Sequence, residues 1–142
     1  MKLLAEIKDE DIGEKPYENS SKERHASRAI LMKGDKIALM HVTKQQYHKL
    51  PGGGVEKAET LEQALHREIK EETGCKMLVI SEIGKIIEHR THFNIVQTSY
   101  CYLAEVLEEG IQNLDKGEID AGFVLEWKDI ESAIDLIKHA HP

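Results

Sequence analysis

Apolar and polar positions alternate along this chain with periods that change from stretch to stretch. "RAILM" and "IALMHV" are apolar runs separated by the turn signal "KGDK", which predicts a β-hairpin. "KMLVI" and "GKIIEH" predict two further strands, "FNIVQTSYCYLAEV" alternates over enough residues to predict a long one, and "FVLEW" predicts a last one. "DIESAIDLIKHA" places Ile130, Ala133, Ile134 and Ile137 at helical spacing and predicts a C-terminal helix packed through those four residues. "KPYENSSKER" reads as a loop, and Thr43 to Glu59 shows no sustained period of either kind. The pattern gives a mixed β-sheet with two helices. With no internal repeat, low-complexity segment or domain boundary, residues 1–142 read as one domain.

The other helix lies within "TLEQALHREIKEETG". Thr60 with Gln63 three residues on forms a capping-box signal, and Gly74 is placed as the left-handed residue just past the end. At about 100° per residue, setting Leu61 at zero puts Leu65 near ~40° and Ile69 near ~80°, which defines the packing stripe. Glu68 falls near ~340° and Glu72 near ~20°, inside that stripe, with Glu71 flanking near ~280° and Lys70 opposite near ~180°. Glutamates three and four apart repel, and Glu71 and Glu72 also occupy the last turn, where the helix dipole is negative. A solvated charged face accounts for Glu62, Arg67 and Lys70 but not for carboxylates on a face that must pack. A hard divalent cation such as Mg²⁺ removes the conflict, because it prefers carboxylate oxygens and bridges to phosphates.

The aperiodic segment before the helix contains "PGGG", where the backbone of Gly52, Gly53 and Gly54 can approach a ligand closely. No Gly-Lys-Ser/Thr follows, so this is not a P-loop. A chain of 142 residues can bury a sizeable core, and a net charge of −7 argues against a large nucleic-acid footprint. "MKLLAEIKDED" carries no signal-peptide pattern and no apolar run approaches membrane-spanning length, so the expected location is cytoplasmic. Cys75 and Cys101 read as reduced core residues, and the eight histidines show no zinc spacing.

Gly53, Glu59, Arg67, Glu68, Ile69, Glu71, Glu72, Gly74 and Cys75 stand at the spacing of a Nudix box, which this stretch closely resembles; only Cys75 departs, where an Ile, Leu or Val is usual. "KLPGGGVE" is similar to the family's approach to the box, with His48 near a frequent Trp position. The resemblance implies an α/β/α sandwich with a mixed sheet, and Mg²⁺- or Mn²⁺-dependent hydrolysis of a nucleoside diphosphate linked to another group. It implies Glu68 and Glu72 as principal metal ligands, Glu71 as an additional one, the Gly53 carbonyl as a contributor, and Arg67 as the cation that holds a box glutamate. The general base is then a box glutamate, Glu68 or Glu71, or else Glu118 in the polar stretch "NLDKGEIDAG", with Asp120 in reserve. Arg24 and Lys49 are candidates to meet phosphates, Gly52 and Gly54 to approach the substrate, and Tyr47 or Phe93 to stack on a base. The expected substrate is a nucleoside triphosphate or related small nucleotide, with no nucleic-acid or membrane partner, and the chain a monomer or homodimer. The alternatives are an ADP-ribose or nucleotide-sugar pyrophosphatase and, in another class, a non-catalytic nucleotide-binding regulator.

Overall fold

The structure, a computed structural model, describes residues 1–8, 22–90 and 94–138. The predicted hairpin is present: β2 (Lys22–Lys33) and β3 (Lys36–Val42) pair antiparallel across Gly34 and Asp35, and an edge strand, β1 (Leu3–Lys8), precedes them. Two three-residue strands follow, β4 (Tyr47–Lys49) against β3 and β5 (Gly52–Gly54) against β2. Next come α1 (Leu61–Thr73), β6 (Lys76–Arg90) and β7 (Ile95–Glu108), then the short α2 (Lys116–Asp120), β8 (Phe123–Asp129) and α3 (Ile130–Lys138). The sheet runs β1-β6-β7-β2-β3-β4, with β5 joined to β2 and β8 to β3. Pairs β1–β6 and β2–β7 are parallel and the others antiparallel, so the sheet is mixed.

Both sides of the sheet centre are covered, which is why its inner strands are apolar on both faces. Ala29, Leu31, Ala38, Tyr102 and Ala104 pack with Leu65 and Ile69 of α1 on one side. Ile37 and Leu39, the alternate residues of β3, pack with Ala133 of α3 on the other. The result is the α/β/α sandwich. Fully burying a side chain such as Leu65 or Ile69 stabilises the fold by roughly 1.5 to 3 kcal/mol, and this fixes α1 to the sheet.

Several local expectations change. "KMLVI" and "GKIIEH" form one strand, β6, interrupted by register shifts rather than by a turn. The segment 43–59 contains β4 and β5, which are too short for any period to show, and β5 consists of glycines alone. β1 and α2 were not predicted. "KPYENSSKER" does not stay a loop at its end, since Lys22, Glu23 and Arg24 open β2; residues 15–21 lie outside the described residues. In α3 the packing residues are Ala133 and Leu136, while Ile130, Ile134 and Ile137 remain exposed. Cys75 and Cys101 are buried free thiols.

Candidate active site

The site is built on α1 and the glycine strand beside it. The Thr60 side chain accepts from the Gln63 N–H while Gln63 accepts from the Thr60 N–H, and Gly74 closes the helix in the left-handed conformation at φ 76. Ser27 Oγ donates to the Leu61 carbonyl at 2.8 Å and ties the start of the helix to β2. β5 lies antiparallel on β2, with Ala26, Ser27 and Arg28 opposite Gly54, Gly53 and Gly52. A side chain at Gly52 would run into the Ser27 carbonyl, and φ there is 137. At Gly53 an added Cβ would sit 2.7 Å from Glu68 Cδ, so the missing side chain is what lets the Glu68 carboxylate lie against the strand.

The helix then delivers its charges where the angular argument puts them. Glu72 is fully buried, Glu68 and Glu71 are partly buried, and Lys70 is exposed. Glu72 Oε2 accepts from the Gly52 N–H at 2.9 Å. Glu72 Oε1 is buried with no hydrogen-bond partner, and Lys49 Nζ stands 3.6 Å from it. Burial pushes the Glu72 carboxyl up to about 7, against the pull of Lys49 and the Gly52 N–H. Burial also lowers Lys49, against the pull of Glu72, so desolvation outweighs their mutual attraction on both sides of the pair. Glu68 is raised as well, first by burial, with Arg67 opposing.

Arg67 organises the exposed side of the cluster. Its Nε and Nη2 donate to the two oxygens of Glu59 at 2.7 and 2.9 Å, a bidentate pair that holds the Glu59 carboxyl down at about 2. Nη1 donates to Glu68 Oε1 at 2.9 Å and reaches Glu71 Oε2 at 3.5 Å, and Nη2 also meets the Gly54 carbonyl at 3.0 Å.

Glu118 arrives from the far end of the chain. The loop before it is fastened to the C-terminal carbonyls of α1, with the Asn113 N–H donating to Glu71 O at 2.7 Å and Gln112 Nε2 to Glu72 O at 2.6 Å. Asp115 then caps α2 in a reciprocal box with Glu118. Carboxylate oxygens of Glu68, Glu72 and Glu118 come within 4.8 Å of one another. Glu71 is not in that group, and Asp120 is exposed outside it. Arg24 is an exposed residue of β2 whose guanidinium lies beside Gly54, 3.4 Å from where a Cβ would be. Tyr47 lies on β4 opposite Val42, and Phe93 lies outside the described residues. Two participants were not foreseen. Arg28 Nη1 points at the Leu50 and Gly52 carbonyls, each at 3.3 Å, and the Phe123 ring sits 4.8 Å from Lys49 Nζ. The sequence signal for Arg28 is a charge inside the apolar run "RAILM"; Phe123 carries none.

Three carboxylates crowded together, one of them with a buried oxygen that has no hydrogen-bond partner, make a poor arrangement for the protein alone and a suitable one for a hard cation. Fold and site together define the class: an α/β/α sandwich with a glutamate helix set beside a glycine strand. The NUDIX domain family matches this chain over residues 23–142, and the chain belongs to the family of Nudix hydrolases. It is 29% identical over 103 residues to an RNA pyrophosphohydrolase from Shewanella loihica, a match covering 69% of this chain. The match spans about half, 52%, of that relative. Among solved structures, a NUDIX hydrolase from Nitrosomonas europaea superposes with a TM-score of 0.71 at 21% identity, covering 85% of this chain and 82% of that one. An ADP-ribose pyrophosphatase from Streptococcus suis superposes at 0.58 and 19% identity, covering 76% of this chain and 75% of the other. At these identities the two structures speak for the fold.

Proposed function

We propose that this protein is a Mg²⁺- or Mn²⁺-dependent pyrophosphohydrolase that cleaves a phosphoanhydride bond in a nucleoside triphosphate or a related nucleoside diphosphate derivative. The observation that carries the reading is the convergence of Glu68, Glu72 and Glu118, with Glu72 Oε1 buried and without a hydrogen-bond partner. Glu68 and Glu72 would hold the metal, with Glu118, Glu71 and the Gly53 carbonyl within the same neighbourhood. A divalent ion there supplies charge neutralisation on phosphate oxygens and an acidified water. The chain's own residues do the positioning. Arg67 fixes the Glu68 carboxylate and holds Glu59, while Arg28 and the β2–β5 ladder set the backbone against which phosphates approach. Lys49 beside Glu72 and Arg24 beside Gly54 offer cations near that backbone, and Glu118 is the carboxylate we assign to accept the proton of an attacking water.

The regulator alternative requires a site that has lost its ligands, and here the carboxylates are intact and convergent. A chain with no described helix long and apolar enough to cross a membrane, and with a net charge of −7, fits a small-nucleotide substrate in the cytoplasm. The names of its relatives define the competing substrates. Hydrolysis of nucleoside triphosphates, ADP-ribose, a nucleotide sugar and 5′-triphosphorylated RNA should be followed by chromatographic separation of the phosphorylated products, with Mg²⁺ and with excess EDTA. Turnover of a small nucleotide that disappears in EDTA is the expected result. Turnover undiminished by EDTA, or none on any of the four, would remove this reading.

A further inference from the structure

The side of the sheet facing away from the glutamate helix carries a second cluster of ligand atoms. β4 pairs with β3 so that His48 stands opposite His41, and β8 pairs with β3 so that Glu126 stands opposite Leu39, one alternate position along the same face. His48 Nε2 lies 2.8 Å from Glu126 Oε1 and His41 Nδ1 lies 3.1 Å from Oε2. The three ligand atoms are within 4.8 Å of one another. All three side chains are partly buried, His48 most deeply at 12% exposure, which leaves the outer side open to water. Burial raises the Glu126 carboxyl, but hydrogen bonds from His48 and His41 and the nearby Lys128 outweigh it and hold the group below its usual range.

We propose that His41, His48 and Glu126 form a binding site for a zinc-class divalent cation, separate from the glutamate site on α1. Two imidazoles and a carboxylate are a borderline donor set that suits Zn²⁺, whereas the oxygen-only set on α1 suits Mg²⁺ or Mn²⁺. Zinc ligands at roughly 2.0 to 2.2 Å require donor atoms a little over 3 Å apart, and the two imidazole nitrogens already stand 2.8 and 3.1 Å from the oxygens of Glu126. The rings are stacked, with centroids 4.1 Å apart and 14° between planes. Lone pairs of stacked rings do not converge, so binding turns one ring out of the stack, and His41, at 28% exposure, has the room. Lys128 Nζ, 3.8 Å from Glu126 Oε1, is the cation that a divalent ion displaces. Water completes the coordination. The bound ion joins β3, β4 and β8 on the face opposite Lys49.

Chelator-treated, dialysed protein should be titrated calorimetrically with ZnCl₂ in excess Mg²⁺, for the parent, His48→Phe and Glu126→Gln. Phe keeps a ring in the stack and removes its nitrogens. We expect saturable Zn²⁺ uptake by the parent, weakened roughly tenfold or more in each variant, while the rise in melting temperature caused by Mg²⁺ stays unchanged. Absent uptake, or uptake with the same affinity in both variants, would overturn the site. X-ray absorption of the Zn²⁺-loaded parent needs no variant to fold. Imidazole scattering from two ligands is expected, and a shell of oxygens alone refutes the proposal.

Discussion

Glu72 shows how much of this protein's chemistry is set by one carboxylate in the wrong solvent. Without metal, burial lifts it to about 7, above the ordinary 4.5. The folded chain therefore binds this proton more tightly than the unfolded one, so the stability it contributes is complete at low pH and is lost as pH rises through about 7. The loss is bounded at on the order of 3 kcal/mol by the size of the shift. Glu72→Gln cannot ionise and has no such term. Melting both proteins in EDTA across about pH 5 to 8 should show the parent losing stability relative to Glu72→Gln as pH rises. A gap that stays constant would mean that Glu72 titrates normally. Glu118→Gln tests a different property, because a glutamine keeps the Asp115 cap that Glu118 completes. We expect turnover to fall about 10² to 10⁴-fold, with the metal-free melting temperature close to the parent's. Equal loss of stability would make Glu118 a capping residue.

At the level of the element, α1 was legible before any coordinates, and for identifiable reasons. Thr60, Gln63 and Gly74 are local stop and start signals, and the place of Glu68 and Glu72 on the packing stripe follows from 3.6 residues per turn. The strand beside it was not legible. Gly52, Gly53 and Gly54 have no side chains to alternate, and only the tertiary ladder to Ala26, Ser27 and Arg28 makes them a strand. α2 escaped notice because five residues hold little more than one turn, and Glu118, half of its capping box, was read as a candidate base in a polar stretch. α3 was found, but of its assigned stripe of Ile130, Ala133, Ile134 and Ile137 only Ala133 packs, joined by Leu136; spacing gives the period of a helix and tertiary packing chooses the face. β5 supplies an element-scale test. Gly53→Ala puts a methyl 2.7 Å from Glu68 Cδ, so the carboxylate must move. The Mg²⁺ concentration for half-maximal activity should rise while the metal-free melt changes little. An unchanged Mg²⁺ requirement would show that Glu68 need not lie against the strand.

For the whole molecule, the sandwich brings together residues that are remote in sequence. The two helices could be inferred from apolar periodicity and the box from its spacing, whereas their placement on opposite faces came from the resemblance. Glu118 was tied to Glu68 and Glu72 only through the family resemblance, and the meeting of Glu126 with His41 and His48 could not be read at all, since it depends on β8 returning beside β3. The return path passes the end of α1, where the backbone N–H of Asn113 is fastened to the Glu71 carbonyl. That bond makes the helix end a fixed origin, and the chain from Asn113 to Glu118 becomes a ruler cut to length. Its composition can vary at the exposed positions, but its residue count cannot. One glycine inserted after Lys116 would keep the fastening and turn Glu118 by about 100° around α2, away from the carboxylates. Turnover should then drop as far as it does in Glu118→Gln, although every original side chain is still present. A glycine inserted between Gly34 and Asp35, in the hairpin turn, should leave turnover nearly intact. Equal activity in the two insertions would show that the segment adjusts its reach, and the arrangement at the site would then owe nothing to counted length.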